Sequence, residues 1–332
     1  LFANTTGYRN AAFGFAALQN NTIGTNNAAF GYQTLQTNTT GSNNTAVGLN
    51  SLFSNTIGAR NSAFGSQALF ANTTGVNNSA FGTYALNANT VGQDNTSVGR
   101  SALQNSTIGN CNSAFGAYTL QNNTTGGANN AFGRWGLKNN TSGYNNSAFG
   151  NYALQNNSIG VSNTAVGHQS LQSNTTGNYN TSVGVNSLNT NTFGKYNTAV
   201  GVNALLYNTT GNNNSAFGLE ALKANTIGTN NSAFGVYALI ANTTGTNNVA
   251  VGYGSLRNNT TSNNVAVGFN ALYTNTTGYG GTAVGHNALV SNIWGGYNTA
   301  VGFQALYYNT TASRNTAVGA YSQHNNTFGY TN

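Results

Sequence analysis

Apolar residues recur at fixed slots of a seventeen-residue phrase, and polar residues fill the slots between them. The phrase reads Asn-Ser/Thr-Ala-Phe/Val-Gly-x-x-Ala/Ser-Leu-x-x-Asn-Thr-Thr/Ile-Gly-x-x, numbered so that Asn61 is position 1 and Gly65 is position 5. Ala-Phe-Gly at 12–14 returns at 29–31, 63–65 and 80–82. Ala-Val-Gly takes the same slot at 46–48, 165–167, 199–201 and 317–319. One residue is skipped near 261–262, so the slot after 250–252 is 266–268. A short period sustained along a chain marks a solenoid, in which each repeat buries its apolar side only against its neighbours. The expected fold is an all-β, repetitive parallel β-solenoid (β-roll), with 1–332 forming a single array of about nineteen 17-residue coils.

Within one coil, positions 2–5 alternate small residues with β-branched or aromatic ones and read as a short strand; positions 8–10 read as a second. Glycines at positions 5 and 15, Gly65 and Gly75 in one coil, are expected to close the strands as turn residues with φ > 0. Asn, Thr and Gly are poor helix formers, and seventeen residues are too few for a helix–turn–helix unit.

Positions 2 and 4 trade volume. Phe at position 4 goes with a small residue at position 2, as in Ser62/Phe64 and Ser79/Phe81, with Asn130/Phe132 the largest pair. Val at position 4 goes with a β-branched residue, as in Thr45/Val47 and Thr198/Val200. Residues two apart on a strand share a face. The trade suggests a confined, packed face, so positions 2 and 4 are expected to point inward against the Leu of position 9, which runs from Leu18 until Gln323 takes its slot. Position 3 is Ala except at Ser97 and Ser182. With the glycine of position 5 it would then form an outward stripe small enough to admit the backbone of another chain.

Asn holds position 1 except at Gly281, and position 12 except at Ser106. Stacked Asn side chains can hydrogen-bond along a solenoid axis as ladders, or each can cap its own turn. Position 14 alternates between Thr and a larger apolar residue, as at Thr40, Ile57, Thr74 and Val91, which places an apolar side chain about every 9.6 Å along one edge. The eighteen Tyr occupy only the variable slots. Tyr84, Tyr118, Tyr152, Tyr237, Tyr307 and Tyr308 are the candidate contact residues, either covering apolar edges or stacking on sugars and neighbouring chains.

Composition narrows the chemistry. Charged residues are 3% of the chain, Pro and Met are absent, and nine Lys/Arg against Asp94 and Glu220 give a formal charge of +7. No two basic residues adjoin, so the dense cationic face that nucleic acid requires is not expected. No apolar run approaches a membrane span. Asp94 and Glu220 lie seven or more coils apart, on the order of 35 Å, too far for an acid/base pair. His168, His286, His324 and the lone Cys111 are also dispersed. Neither a triad nor a metal cluster is expected, and no Gly-Lys-Ser/Thr phosphate loop occurs. The chain is therefore expected to carry no catalysis and no cofactor. Asn-Thr-Thr, Asn-Thr-Ser and similar sequons recur at Asn4, Asn38, Asn72, Asn123, Asn140, Asn174, Asn208, Asn242, Asn259, Asn275 and Asn309, which are candidate glycan-attachment sites in a secreted protein.

The phrase Asn-Thr-Ala-Val-Gly-x-x-Ala-Leu, clear at 44–52, 197–205 and 298–306, resembles the head repeats of YadA-like trimeric autotransporter adhesins. It is similar also to the Asn-Thr-Ala-Val-Gly repeats of some phage tail-fibre-like and bacterial surface proteins. The resemblance covers the whole chain. It implies a parallel β-roll of three chains in an extracellular rod, on a cell surface or a virion tail. The expected partner is the chain itself, as that homotrimer or, alternatively, as an end-to-end filament, with surface glycans as further candidate partners. The sequence starts and stops in mid-phrase, with Leu1 at position 9 and Asn332 at position 1, which suggests a window of a longer fibre. The leading expectation is an extracellular structural and adhesive fibre. The alternatives are the shaft or receptor-binding part of a viral tail fibre, and an ice-binding solenoid presenting Thr22, Thr39, Thr56 and Thr73. The last is disfavoured because one Thr column lacks paired Thr-x-Thr rows.

Overall fold

The computed structural model describes residues 2–329 and contains a single kind of element, a three-residue strand at positions 2–4 of each coil. The expectations that involve Leu1 and Asn332 lie outside the described residues. The chain divides into two compact units, 1–163 and 164–332. The first holds nine strands, from β1 (Ala11–Phe13) to β9 (Ser147–Phe149), and the second holds ten, from β10 (Thr164–Val166) to β19 (Thr316–Val318). Within each unit every strand pairs in parallel with the strand of the next coil, position on position; Ser62, Ala63 and Phe64 face Ser79, Ala80 and Phe81. The β-solenoid expected from the period is the observed fold. The skipped residue does not disturb the sheet. Val249 pairs with Val265 in register, and the shortened turn at 259–263 absorbs the loss.

The strand faces the opposite way from the expectation. Ala63 is fully buried, whereas Ser62 is half-buried and Phe64 is exposed. Ala199 is likewise fully buried, between half-buried Thr198 and Val200. Each coil encloses only a narrow interior, filled by Ala at position 3, Ala, Ser or Thr at position 8, Leu at position 9 and the two Asn columns. A narrow interior explains the strict smallness of position 3 without any neighbouring chain. Positions 2 and 4 do share a face, but it is the outer one, so their volume trade is made at the surface. Phe rings at position 4 stack along the coils there, with centroids 5.0 Å apart for Phe64 and Phe81.

No second strand forms at positions 8–10 among the described residues. The backbone is left-handed at positions 7, 9 and 17, for example at Gln67 (φ 55°), Leu69 (φ 52°) and Asn77 (φ 57°). These residues fold the chain back tightly enough to close a coil. Left-handed backbone costs an L-residue about 1–2 kcal/mol. Burying a Leu side chain returns roughly 1.5–3 kcal/mol, so position 9 keeps Leu where conformation alone would favour Gly or Asn. Gly254 and Gly280 take positions 7 and 17 in two coils with the same left-handed φ, 62° and 64°.

The two glycine columns have different causes. Gly65 at position 5 has φ 138°, in line with the turn conformation expected of it. Position 15 has ordinary φ and needs Gly for space: a Cβ on Gly58 would collide with Asn55 Oδ1 and with the carbonyl of Gly75.

Candidate functional site

The most elaborate polar construction in the molecule is internal. At position 12, Asn38 Nδ2 donates to Asn21 Oδ1 of the preceding coil at 2.8 Å and to Gly41 O of its own coil at 2.9 Å. At position 1, Asn44 Nδ2 donates to Gly58 O of the next coil at 2.8 Å, and its Oδ1 accepts the Asn61 N–H at 3.0 Å. Gly58 O also accepts from Asn55 Nδ2 at 2.9 Å. The two columns thus converge on one glycine carbonyl, and each amide ties its coil to a neighbour. At position 12 both structural readings hold, the axial ladder and the local turn cap, whereas at position 1 the bonds of Asn44 run to neighbouring coils.

The position 12 ladder fails where the phrase fails. Asn89 Oδ1, Asn242 Oδ1 and Asn309 Oδ1 are buried without a hydrogen-bond partner. Asn89 precedes Ser106, whose short side chain cannot replace the amide and whose own Oγ is also unpartnered. Asn242 precedes the shortened coil, where Asn259 Nδ2 turns to Thr261 O at 2.8 Å. Asn309 belongs to the coil in which Ala312 replaces the position 15 glycine, and Asn326 Nδ2 beyond it is likewise unpartnered.

This clasp argues against glycan attachment at ten of the eleven candidate Asn residues. Asn38, Asn72, Asn123, Asn140, Asn174, Asn208, Asn242, Asn259, Asn275 and Asn309 are fully buried. Their amide nitrogens face the interior; Asn72 Nδ2, for instance, bonds Asn55 Oδ1 and Gly75 O. A sugar on Nδ2 would have to stand where the next coil stands. Asn4 is half-buried and donates to Gly7 O at 2.8 Å. The Thr column considered for ice binding is similarly engaged, since Thr22 Oγ1 donates to Thr39 O at 3.0 Å and Thr56 Oγ1 to Thr73 O at 3.1 Å.

The candidate Tyr residues lie on the outside, and five of the six pack against a neighbouring ring or an arginine. Tyr84, Tyr118, Tyr152 and Tyr237 all occupy left-handed position 7. Tyr118 lies under the Arg100 guanidinium at 5.6 Å, and Tyr152 meets Trp135 edge-on at 4.8 Å. Tyr237 meets Tyr253 at 5.8 Å and lies near Arg257. Tyr307 meets Tyr308 edge-on at 4.8 Å and stacks on His324 at 5.1 Å. Of the six, Tyr84 and Tyr308 are exposed and the others are half-buried. Arg134 sits over Trp135 at 4.0 Å, so several basic residues are drawn to rings and do not gather into one face.

The remaining chemistry-bearing groups stay apart from one another. Glu220 pairs with Lys223 at 2.9 Å, and Asp94 Oδ1 accepts from Asn77 Nδ2 at 3.0 Å. Cys111 is a free, exposed thiol at left-handed position 17. Among the described residues no three of His, Cys, Asp and Glu lie where they could share a metal ion. No helix among them is long and apolar enough to cross a membrane. Shallow depressions mark the surface. One of 290 Å³ includes Phe2 and Phe15, and another of 410 Å³ includes Phe193, Lys195 and Tyr196. The apolar residues of position 14 stand on an exposed edge, as at Ile57 and Phe193. No protein-family model matches the chain, and no curated protein matches it.

Proposed function

We propose that this chain is a structural element of an extracellular fibre, with no catalytic role and no cofactor, whose repeated outer columns act as an adhesive surface. The observation that carries the reading is the clasp of Asn positions 1 and 12 on the position 15 carbonyl. It spends the coil's polar groups on holding coil to coil, as at Asn44, Asn55 and Gly58. An uncharged interior fixed in this way suits a load-bearing scaffold and supplies no group to react. The likeness of the Asn-Thr-Ala-Val-Gly phrase to adhesin heads and tail-fibre repeats supports the same reading.

The test is labelling with an antibody raised against the folded chain. Decoration of filaments on intact source cells is expected. Decoration of virion tails would assign the chain to a viral fibre. Labelling only after the cells are permeabilised would refute an extracellular fibre.

A further inference from the structure

In the second unit the outward columns become continuously apolar. From Val185 to Phe303, position 6 carries only Val, Leu, Tyr, Phe and one His, and position 4 of the same coils carries only Val and Phe. In the first unit position 6 is apolar only in the first three coils, at Phe15, Tyr32 and Leu49, and is then interrupted by Ser66, Thr83, Arg100, Arg134 and Asn151. The second-unit residues are well presented. Val202, Leu219, Tyr253, Phe269 and Phe303 at position 6 are 40–47% exposed. Beside them, Phe217, Phe234 and Val251 at position 4 are 36–41% exposed.

The side chains are also ordered into ridges. Tyr253, Phe269, His286 and Phe303 stack in succession with centroids 5.3, 5.1 and 5.3 Å apart. Phe217 and Phe234 stack at 5.0 Å on the neighbouring ridge. Between the ridges runs the position 5 glycine column, whose members Gly218 and Gly235 carry no side chain to fill it.

We infer that this two-ridged face is the docking surface for a second copy of the same chain. Three observations select that occupant. The first is area. Two large apolar side chains per coil, each about two-fifths exposed, amount to on the order of 100 Å² per coil. Eight coils then present roughly 800 Å², the area each partner contributes to a stable interface and more than a monomer ordinarily leaves bare. The second is charge: no Lys, Arg, Asp or Glu occurs at positions 2, 4 or 6 over these coils, so nothing there attracts an anionic lipid or polyanion. The third is the repeat. A surface that returns once per coil is matched along its whole length only by a surface with the same spacing, which another copy supplies. An interface in which both chains use the same patch is self-complementary.

Sedimentation of the full chain under reducing conditions, which prevent a Cys111 disulfide, tests the inference. Reversible monomer–dimer behaviour is expected at micromolar concentration. The combined substitution Val202→Lys, Leu219→Lys and Phe269→Lys places like charges across the interface. It should weaken association at least about a hundredfold while leaving the circular dichroism spectrum unchanged. The control Ser66→Lys, Thr83→Lys and Ala117→Lys alters the same column in the first unit and should leave association as it was. A wild-type chain still monomeric at about 100 μM overturns the inference, as does a triple-Lys variant that keeps its spectrum and associates normally. A monomer that instead binds neutral vesicles overturns it in favour of a lipid occupant. None of these results bears on whether the fibre lies outside the cell.

Discussion

Ser106→Asn should stabilise the protein, because the molecule already contains the gap that the substitution fills. Position 12 is Asn in the flanking coils, and the backbone there is the same. At present Asn89 Oδ1 and Ser106 Oγ are buried without partners, and Asn123 Nδ2 donates to Gly126 O of its own coil with no amide oxygen from the preceding coil to meet it. An amide at this position would donate to Asn89 Oδ1 and to Gly109 O, and would accept from Asn123 Nδ2. Two or three net hydrogen bonds at about 0.5–1.5 kcal/mol each, less the cost of fixing one side chain, give a gain of about 1–3 kcal/mol. The reciprocal change Asn72→Ser should remove a similar amount by stranding Asn55 Oδ1. A long repeat array need not unfold in two states, so a local readout is needed. Amide hydrogen exchange at Thr90 and Thr107, whose N–H groups bond the next coil at 2.9 and 3.0 Å, supplies it. Exchange there should slow about tenfold to a hundredfold in Ser106→Asn. Unchanged or faster exchange in Ser106→Asn, with Asn72→Ser neutral, would refute the claim that the ladder holds coils together.

Ala199→Leu and Val200→Phe are adjacent substitutions with opposite expectations. The first overfills the interior and should cost about 1–3 kcal/mol in denaturant unfolding, whereas the second adds to the outer face and should stay within about 0.5 kcal/mol. Equal costs would mean that the strand orientation is wrong. Gly58→Ala should cost about 1–3 kcal/mol by driving a methyl group against Asn55 Oδ1 and the Gly75 carbonyl. A neutral result in thermal unfolding would show that the position 15 glycines are not required for space. Gln67→Val, which puts a β-branched residue at φ 55°, should cost about 1–3 kcal/mol although the side chain is not buried. Gln67→Asn should be tolerated, and the two variants should differ in guanidinium midpoint.

The period made the solenoid and its parallel register legible, since identical residues seventeen apart have no better partners than one another. The Leu column and the Asn ladders were legible for the same reason. Strand orientation was not, because volume compensation between Thr198 and Val200 shows that they share a face and not which face it is. The better signal was position 3: a residue held to Ala or Ser through so many coils is as well explained by a cramped interior as by a close neighbour. The left-handed positions left a trace too. Asn recurs at position 7 (Asn50, Asn186, Asn203) and at position 17 (Asn26, Asn43, Asn230), and Asn tolerates that backbone better than most residues. Leu at position 9 hid the same conformation, since its apolar character read as strand. The sequons at Asn38 and Asn72 misled because the recognition pattern coincides with the ladder slot, and burial is not written in the pattern.

The Asn side chains of positions 1 and 12 are enclosed between coils, while those of position 17 face water, and on that difference the clasp stands or falls. Exchange of the side-chain NH2 protons, resolved by NMR, measures it directly. Asn44 and Asn55 are buried and Asn43 is exposed, although Asn43 and Asn44 are neighbours in sequence. Slow exchange of the Asn44 and Asn55 amides and fast exchange at Asn43 are predicted, a contrast repeated in the other coils that carry Asn at position 17, as at Asn26, Asn77 and Asn230. Amides of Asn44 and Asn55 that exchange as fast as that of Asn43 would contradict it.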